Sequence, residues 1–160
     1  MPNILQPAEV VDIGIEKEKK RRDFYALAAD RFKDNADLAK LFAQLRDWEE
    51  DHIKRFTEIR ETVSKAQYTE SYEGETEAYM RALIESELYD AVTPDAFAEK
   101  IKTPADALDM GIRFEKDAIL FFNGLSRFVD EKSKKIAGKL IEEEQEHMLY
   151  LFNKKKELAG

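Results

Sequence analysis

The 160-residue chain contains no cysteine. That excludes disulfides, Fe–S clusters, thiol catalysis and any Cys-x-x-Cys iron or zinc site. No apolar run approaches the roughly 20 residues needed to span a bilayer, so no membrane segment is expected. Basic residues are in deficit: 26 Lys and Arg against 34 Asp and Glu leave a formal charge of −8. With a pI near 5.0, no basic stripe can face a phosphate backbone, which argues against nucleic acid as a partner. The first residues, Met1-Pro2-Asn3-Ile4-Leu5-Gln6-Pro7, lack a charged n-region and an apolar h-region, so no signal peptide is expected and the default location is the cytoplasm. What is present is 43% apolar and 38% charged residues, a balance that suits helices with heavily charged outer faces. The length suits one domain, 1–160, able to bury a real core.

Helix signals divide the chain into four long segments and a crossover. Pro7 can open a first helix, which runs without further proline to about Lys33, with Val11, Glu18, Tyr25 and Phe32 on one heptad line. Asp34-Asn35 is a turn and cap signal. A second helix to about Ser64 carries the interior lines Phe42, Glu49, Phe56, Val63 and Leu38, Leu45, His52, Ile59. Residues 65–102 read as a long crossover. Thr69 to Glu77 is polar, Tyr79, Met80, Leu83, Ile84 and Leu88 mark a short amphipathic helix, and Pro94 opens a shorter one through Ile101. The apolar face of the first of these is expected to be buried, on the bundle or in a dimer. Thr103-Pro104-Ala105-Asp106 starts a third long helix with Leu108, Glu115, Phe122 and Val129 in line. A short turn is expected at Asp130–Ser133, and the last helix runs to about Leu158 along Ala137, Glu144, Leu151, with Leu140 and His147 beside them.

The interior lines should be apolar throughout, yet each long helix places one glutamate on its own. The chain's two histidines each follow a glutamate by three residues, in Glu49-Glu50-Asp51-His52 and Glu144-Gln145-Glu146-His147. Residues three apart share a helix face with Cβ atoms about 5–6 Å apart, so each pair can offer an oxygen and a nitrogen to one ion. Glu18 and Glu49 stand at nearly equal distances from the turn near residue 34, as do Glu115 and Glu144 from the turn near 130. At about 1.5 Å per residue, all four carboxylates fall within a couple of ångströms of one level. The halves also repeat: Gly14-Ile15-x-x-Glu18-Lys19 recurs as Gly111-Ile112-x-x-Glu115-Lys116, and Leu45, Glu49, His52 as Leu140, Glu144, His147. The pattern predicts an all-α four-helix bundle of two αα-hairpins.

Four carboxylates in an apolar core are prohibitive without compensation. Two divalent cations would neutralise them, with Glu18, Glu49, His52, Glu115, Glu144 and His147 as ligands. A single zinc would take fewer ligands in tetrahedral geometry, and an O/N donor set without sulfur favours iron or manganese. By contrast Glu142, Glu143 and Glu146 read as charged surface, Glu16 as solvent-exposed, and Phe24, Phe121 and Phe122 as core.

These residues resemble the ferritin-like domain of the rubrerythrin family over nearly the whole chain. The resemblance implies a ferritin-like four-helix bundle with two iron ions, manganese or zinc being possible substitutes. It implies bridging roles for Glu49 and Glu144 and terminal roles for Glu18 and Glu115. Tyr25 matches a tyrosine that hydrogen-bonds near the metals in relatives and is the candidate catalytic residue, though on its position alone it serves equally as core packing. Two features depart from the family. The Cys-x-x-Cys rubredoxin module is missing, and the extra glutamate one turn after the third-helix ligand is replaced by Ala118, its first-helix counterpart being Arg21.

On that resemblance the expected activity is a di-iron oxidoreductase reducing hydrogen peroxide or dioxygen, acting as a homodimer and supplied by a rubredoxin-like electron donor. A ferroxidase or iron-storage protein of ferritin type is the alternative, and a purely structural metal clamp the third reading. Spacing alone points to the site and leaves the reaction open.

Overall fold

A computed structural model describes residues 6–65, 74–85 and 87–160, all of whose regular structure is helical. The elements are α1 (Pro7–Arg31), α2 (Ala36–Lys65), α3 (Gly74–Ile84), a 3-10 turn (Glu87–Val92), α4 (Pro94–Lys100), α5 (Pro104–Leu125) and α6 (Glu131–Ala159). Pro7, Pro94 and Pro104 each occupy a first helical turn, where their missing N–H costs nothing. Side chains close the starts. Glu9 accepts from the Gln6 N–H at 2.9 Å, and Asn35 from that of Leu38 at 3.2 Å. Thr103 and Asp106 cap α5 reciprocally.

Two expectations change. The turn expected at Asp130–Ser133 lies earlier: Ser126, Arg127 and Phe128 tighten the chain by hydrogen bonds back to Phe122, Gly124 and Leu125. Asp130 is instead the cap of α6, accepting from the Ser133 N–H at 2.8 Å. The amphipathic helix of the crossover also stops short, at Ile84, so Leu88 belongs to the 3-10 turn. The start of the polar stretch, residues 69–73, lies outside the described residues.

Helices α1 and α2 form one hairpin and α5 and α6 the other; the hairpins face each other through α1 against α5 and α2 against α6. The crossover packs back on the same chain. Met80 is buried, its sulfur set against Gly124 of α5, and Leu83 and Ile84 lie against the same apolar cluster, while Tyr79 stays exposed. Of the face expected to be buried, Met80 is covered within the chain, while Leu83 and Ile84 are half-buried.

The core falls into two apolar clusters. One, near the α1–α2 turn, gathers Phe24, Tyr25, Phe42, Leu45, Leu108, Phe114 and Leu151. The other, toward the far end, gathers Val10, Val11, Phe56, Ile59, Phe121, Phe122, Leu125 and Leu140. The interior glutamates lie between them on every helix.

The repeated glycine of the first half marks a close helix approach. A Cβ on Gly14 would lie 2.1 Å from Phe56 Cε1 and 2.7 Å from Phe121 Cε1. Gly14→Ala should therefore lower stability by about 1–3 kcal/mol through overpacking. Gly138, exposed on α6, has nothing within 4 Å of the same position. There Ala should raise stability by about 1 kcal/mol through helix propensity. Thermal melts of the two variants should shift in opposite directions, and shifts of the same sign would contradict this packing.

Candidate metal centre

Six side chains from four helices converge in the layer between the clusters: Glu18 of α1, Glu49 and His52 of α2, Glu115 of α5, Glu144 and His147 of α6. None is more than 5% exposed. The two imidazoles stack, ring centres 5.1 Å apart. His52 Nδ1 lies 2.7 Å from Glu144 Oε1, 3.7 Å from Glu49 Oε2 and 3.8 Å from Glu18 Oε2. His147 Nδ1 lies 3.2 Å from Glu144 Oε2 and 3.8 Å from both Glu49 Oε1 and Glu115 Oε2. The result is two nests, each of three carboxylate oxygens and one imidazole nitrogen. Glu49 and Glu144 give one oxygen to each nest.

The donors fit a pair of cations. Glu18 Oε2, Glu115 Oε2 and both Glu49 oxygens are buried without a hydrogen-bond partner, a costly arrangement in an apolar interior. Those four, with the two oxygens of Glu144, are the ones that face the nests. The outward oxygens of the terminal pair are satisfied: Arg21 Nη2 donates to Glu18 Oε1, and the Tyr25 hydroxyl donates to Glu115 Oε1. Glu49, His52, Glu144 and His147 can each offer a ligand atom within 4.8 Å of the others.

Tyr25 therefore does more than pack, since it reaches across from α1 to clamp a carboxylate on α5. Burial and Glu115 together raise its pKa well above the usual phenol value, which keeps it a neutral donor. Glu16, Glu142 and Glu146 are exposed, as expected. Glu143 is a correction. Although read as charged surface, it accepts from His52 Nε2 at 3.0 Å and is paired with Arg55. A carboxylate on the outer nitrogen fixes which imidazole nitrogen is free to ligate and raises its basicity. His147 has a different neighbour: Trp48 stacks on its ring at 4.8 Å, interplanar angle 6°.

Arg21, noted in the sequence only as the counterpart of Ala118, is buried beside the site. It is 1% exposed, and besides Glu18 its Nη1 donates to Tyr89 Oη at 2.6 Å, with Nε 3.6 Å from Glu49. Tyr89 then donates to Asp117 at 2.6 Å, which also receives Lys17 at 3.0 Å. The spacing held a signal, for Arg21 lies three residues after Glu18 on the same helix face. Tyr89 carried none, because it arrives from the crossover.

Burial and crowding shift the titration of these groups, most of them toward their protonated forms. Burial, aided by Glu144 and Glu115, pushes Glu49 up to about 7. Burial also raises Glu18 and Glu115 well above the ordinary carboxylate value. At Glu144 burial acts the same way, but the neighbouring His52 and several hydrogen bonds hold it well below. Burial disfavours charge on His147, yet the surrounding carboxyl groups of Glu115, Glu144 and Glu49 push it up to about 12.

A cleft of about 450 Å³ lined by Trp48, Asp51, His52, Arg55, Glu143, Glu146, His147 and Tyr150 leads from the surface to the imidazole edge of the site. Small solutes and ions can approach there.

Together these features define a ferritin-like four-helix bundle with a buried glutamate–histidine site suited to metal. A crystal structure from Thermotoga maritima, of a protein proposed to be a ferritin-like diiron-carboxylate protein, has the same fold. It matches at a TM-score of 0.70 and 22% identity, over 98% of this chain and 99% of that one. No family model and no curated protein matches this chain. No helix among the described residues is long and apolar enough to cross a membrane.

The pKa values set a pH dependence. Glu49 stands at about 7 folded, against the ordinary carboxyl value of 4.5. Its contribution to metal-free stability is fully present below 4.5 and lost as pH rises through 7. His147, near 12 against 6.5, contributes fully below 6.5 and less above it. The depressed Glu144 contributes fully above 4.5 and loses that contribution only in more acid solution. The metal-free melting temperature should therefore fall from about pH 5 to about pH 8. A divalent cation competes with the same protons, so the rise in melting temperature on adding Mn²⁺ should widen over that range. Paired melts at three pH values check this; a gap that narrows with pH would contradict the assignment.

Proposed function

We propose that the chain is a di-iron carboxylate oxidoreductase that reduces hydrogen peroxide or dioxygen with electrons from an external carrier. The observation that carries this reading is the pair of nests sharing Glu49 and Glu144, with four buried oxygens left unpartnered. Two iron ions held there would supply two electrons together, as cleavage of an O–O bond requires. In this reading Glu49 and Glu144 bridge, Glu18 with His52 completes one position, and Glu115 with His147 the other.

The protein's part is to hold and to exclude. Glu143, fixed by Arg55, orients His52 so that Nδ1 faces the site. Tyr25 holds Glu115 to a single free oxygen, and Arg21 does the same for Glu18. The phenylalanine-rich clusters on both sides keep bulk water out, while the cleft beside Trp48 admits a small oxidant. Hydrogen peroxide takes up two electrons and two protons to give two waters, so each turnover must be repaid from outside. Without cysteine the chain holds no Fe–S₄ centre, and no Gly-x-Gly-x-x-Gly occurs to bind a flavin or nicotinamide. A rubredoxin-like carrier docking on the bundle is the donor in this reading, and a cytoplasmic homodimer its setting.

Anaerobic loading should give two ferrous ions per chain, and Glu115→Ala should lose at least one. Peroxide or dioxygen should then oxidise the loaded wild type once, and reduced rubredoxin should make the reaction catalytic. A Glu115→Ala variant that still binds two ions would remove the ligand assignment. Sustained oxidation of added ferrous iron with mineral accumulating in a large shell would replace the oxidoreductase by an iron-storage protein.

A further inference from the structure

The two nests have different clamps. The outer oxygen of Glu115 is held by a neutral tyrosine hydroxyl, whereas that of Glu18 is held by a guanidinium. Arginine keeps its charge at any accessible pH, and here it lies 1% exposed, away from screening salt. It cannot swing aside cheaply. Tyr89 holds its Nη1, and Tyr89 is itself held by Asp117, which Lys17 anchors. Its Nε also points at Glu49, whose oxygens reach both nests.

From this asymmetry, and resting on the di-metal reading above, we infer that the two metal positions are unequal. The position made by Glu115, His147 and the shared carboxylates takes the first divalent cation and holds it tightly. The position made by Glu18, His52 and the same shared carboxylates fills second and weakly, because Arg21 stands one carboxylate away.

Charge counting shows why the second ion is held more weakly, and the place of Arg21 beside Glu18 decides which position that is. With neutral imidazoles, four carboxylates, one divalent ion and the guanidinium leave a net charge of one negative for the second ion. Without the guanidinium it would be two negative. One feature acts the other way: Glu143 on His52 Nε2 should strengthen the Glu18 position. Its charge, however, is matched by Arg55, and the pair is about 30% exposed, so its field is nearly cancelled and screened. Lys17 is likewise matched by Asp117. Arg21 is left as the dominant buried charge acting on one nest more than the other.

The test is calorimetric titration with Zn²⁺, which needs no activity. Glu18→Gln and Glu115→Gln keep the acceptors that Arg21 and Tyr25 require while weakening one ligand each, and circular dichroism verifies that both fold. Glu18→Gln should retain a site at least about tenfold tighter than the site left in Glu115→Gln, the scale of effect that groups beside metal ligands exert. Adding Arg21→Gln to Glu115→Gln should tighten the remaining site about tenfold. Adding it to Glu18→Gln should change affinity much less. Arg21→Met, of similar length and uncharged, repeats the comparison if the glutamine variant does not fold. Equal affinities in the two single variants, the reverse order, or no tightening on removing the guanidinium would overturn the inference. A wild type that binds no Zn²⁺ at all would overturn the di-metal reading itself.

Discussion

Four carboxylates held in one layer between two phenylalanine-rich clusters are the constraint on which the structure turns. Transferring an ionised carboxylate into an apolar interior costs several kcal/mol even after relaxation, and here the interior offers few partners. The fold meets that cost locally with donors to three of the four carboxylates. Arg21 serves Glu18, Tyr25 serves Glu115, and the two imidazoles serve Glu144. What remains is a set of unpartnered oxygens facing inward, with Glu49 contributing two. The donor set therefore suits cations, and burial among these carboxylates raises the pKa of His147, Glu18 and Glu115.

The packing around the layer follows from the same requirement. Each long helix must present one glutamate at a common level while burying hydrophobes above and below it. The heptad spacing of Phe42, Glu49, Phe56 and of Leu108, Glu115, Phe122 accomplishes that. Close approach of α1 to Phe56 and Phe121, possible because residue 14 has no side chain, keeps the layer narrow. The crossover is then part of the centre as well as a connection. Tyr89 reaches in to hold Arg21, and the Leu83 carbonyl receives Lys17 at 2.9 Å. Loosening the crossover would free the guanidinium that sits against Glu18 and Glu49, so its docking bears on the buried carboxylates.

The near-repeat of the two halves is broken where it bears on the chemistry. Tyr25 and Phe122 occupy matching positions, and only the first can donate to a carboxylate; Phe122 instead packs edge-on against Phe56. Arg21 and Ala118 also match, and only the first carries charge. His52 has Glu143 and Arg55 at its back, His147 has Trp48 and, beyond it, Tyr150. A symmetric scaffold thus carries an asymmetric centre, with one side enclosed by ionic groups and the other by aromatic ones.

Residue order alone determined the bundle, its hairpin pairing, the long crossover and the six convergent side chains. The physical reason is that helix periodicity is local: a glutamate on an apolar line, three residues before a histidine, declares its face wherever the helix goes. The turn before α6 was misjudged by a few residues because Asp130 serves a cap and a turn with the same chemistry, and only backbone hydrogen bonds tell them apart. Tertiary structure decided what surrounds the six. Glu143 reads as surface until α2 brings His52 and Arg55 against it, and Arg21 reads only as the counterpart of Ala118 until Glu18 and Tyr89 hold it. Those contacts join residues dozens of positions apart in the chain, and no local spacing encodes them.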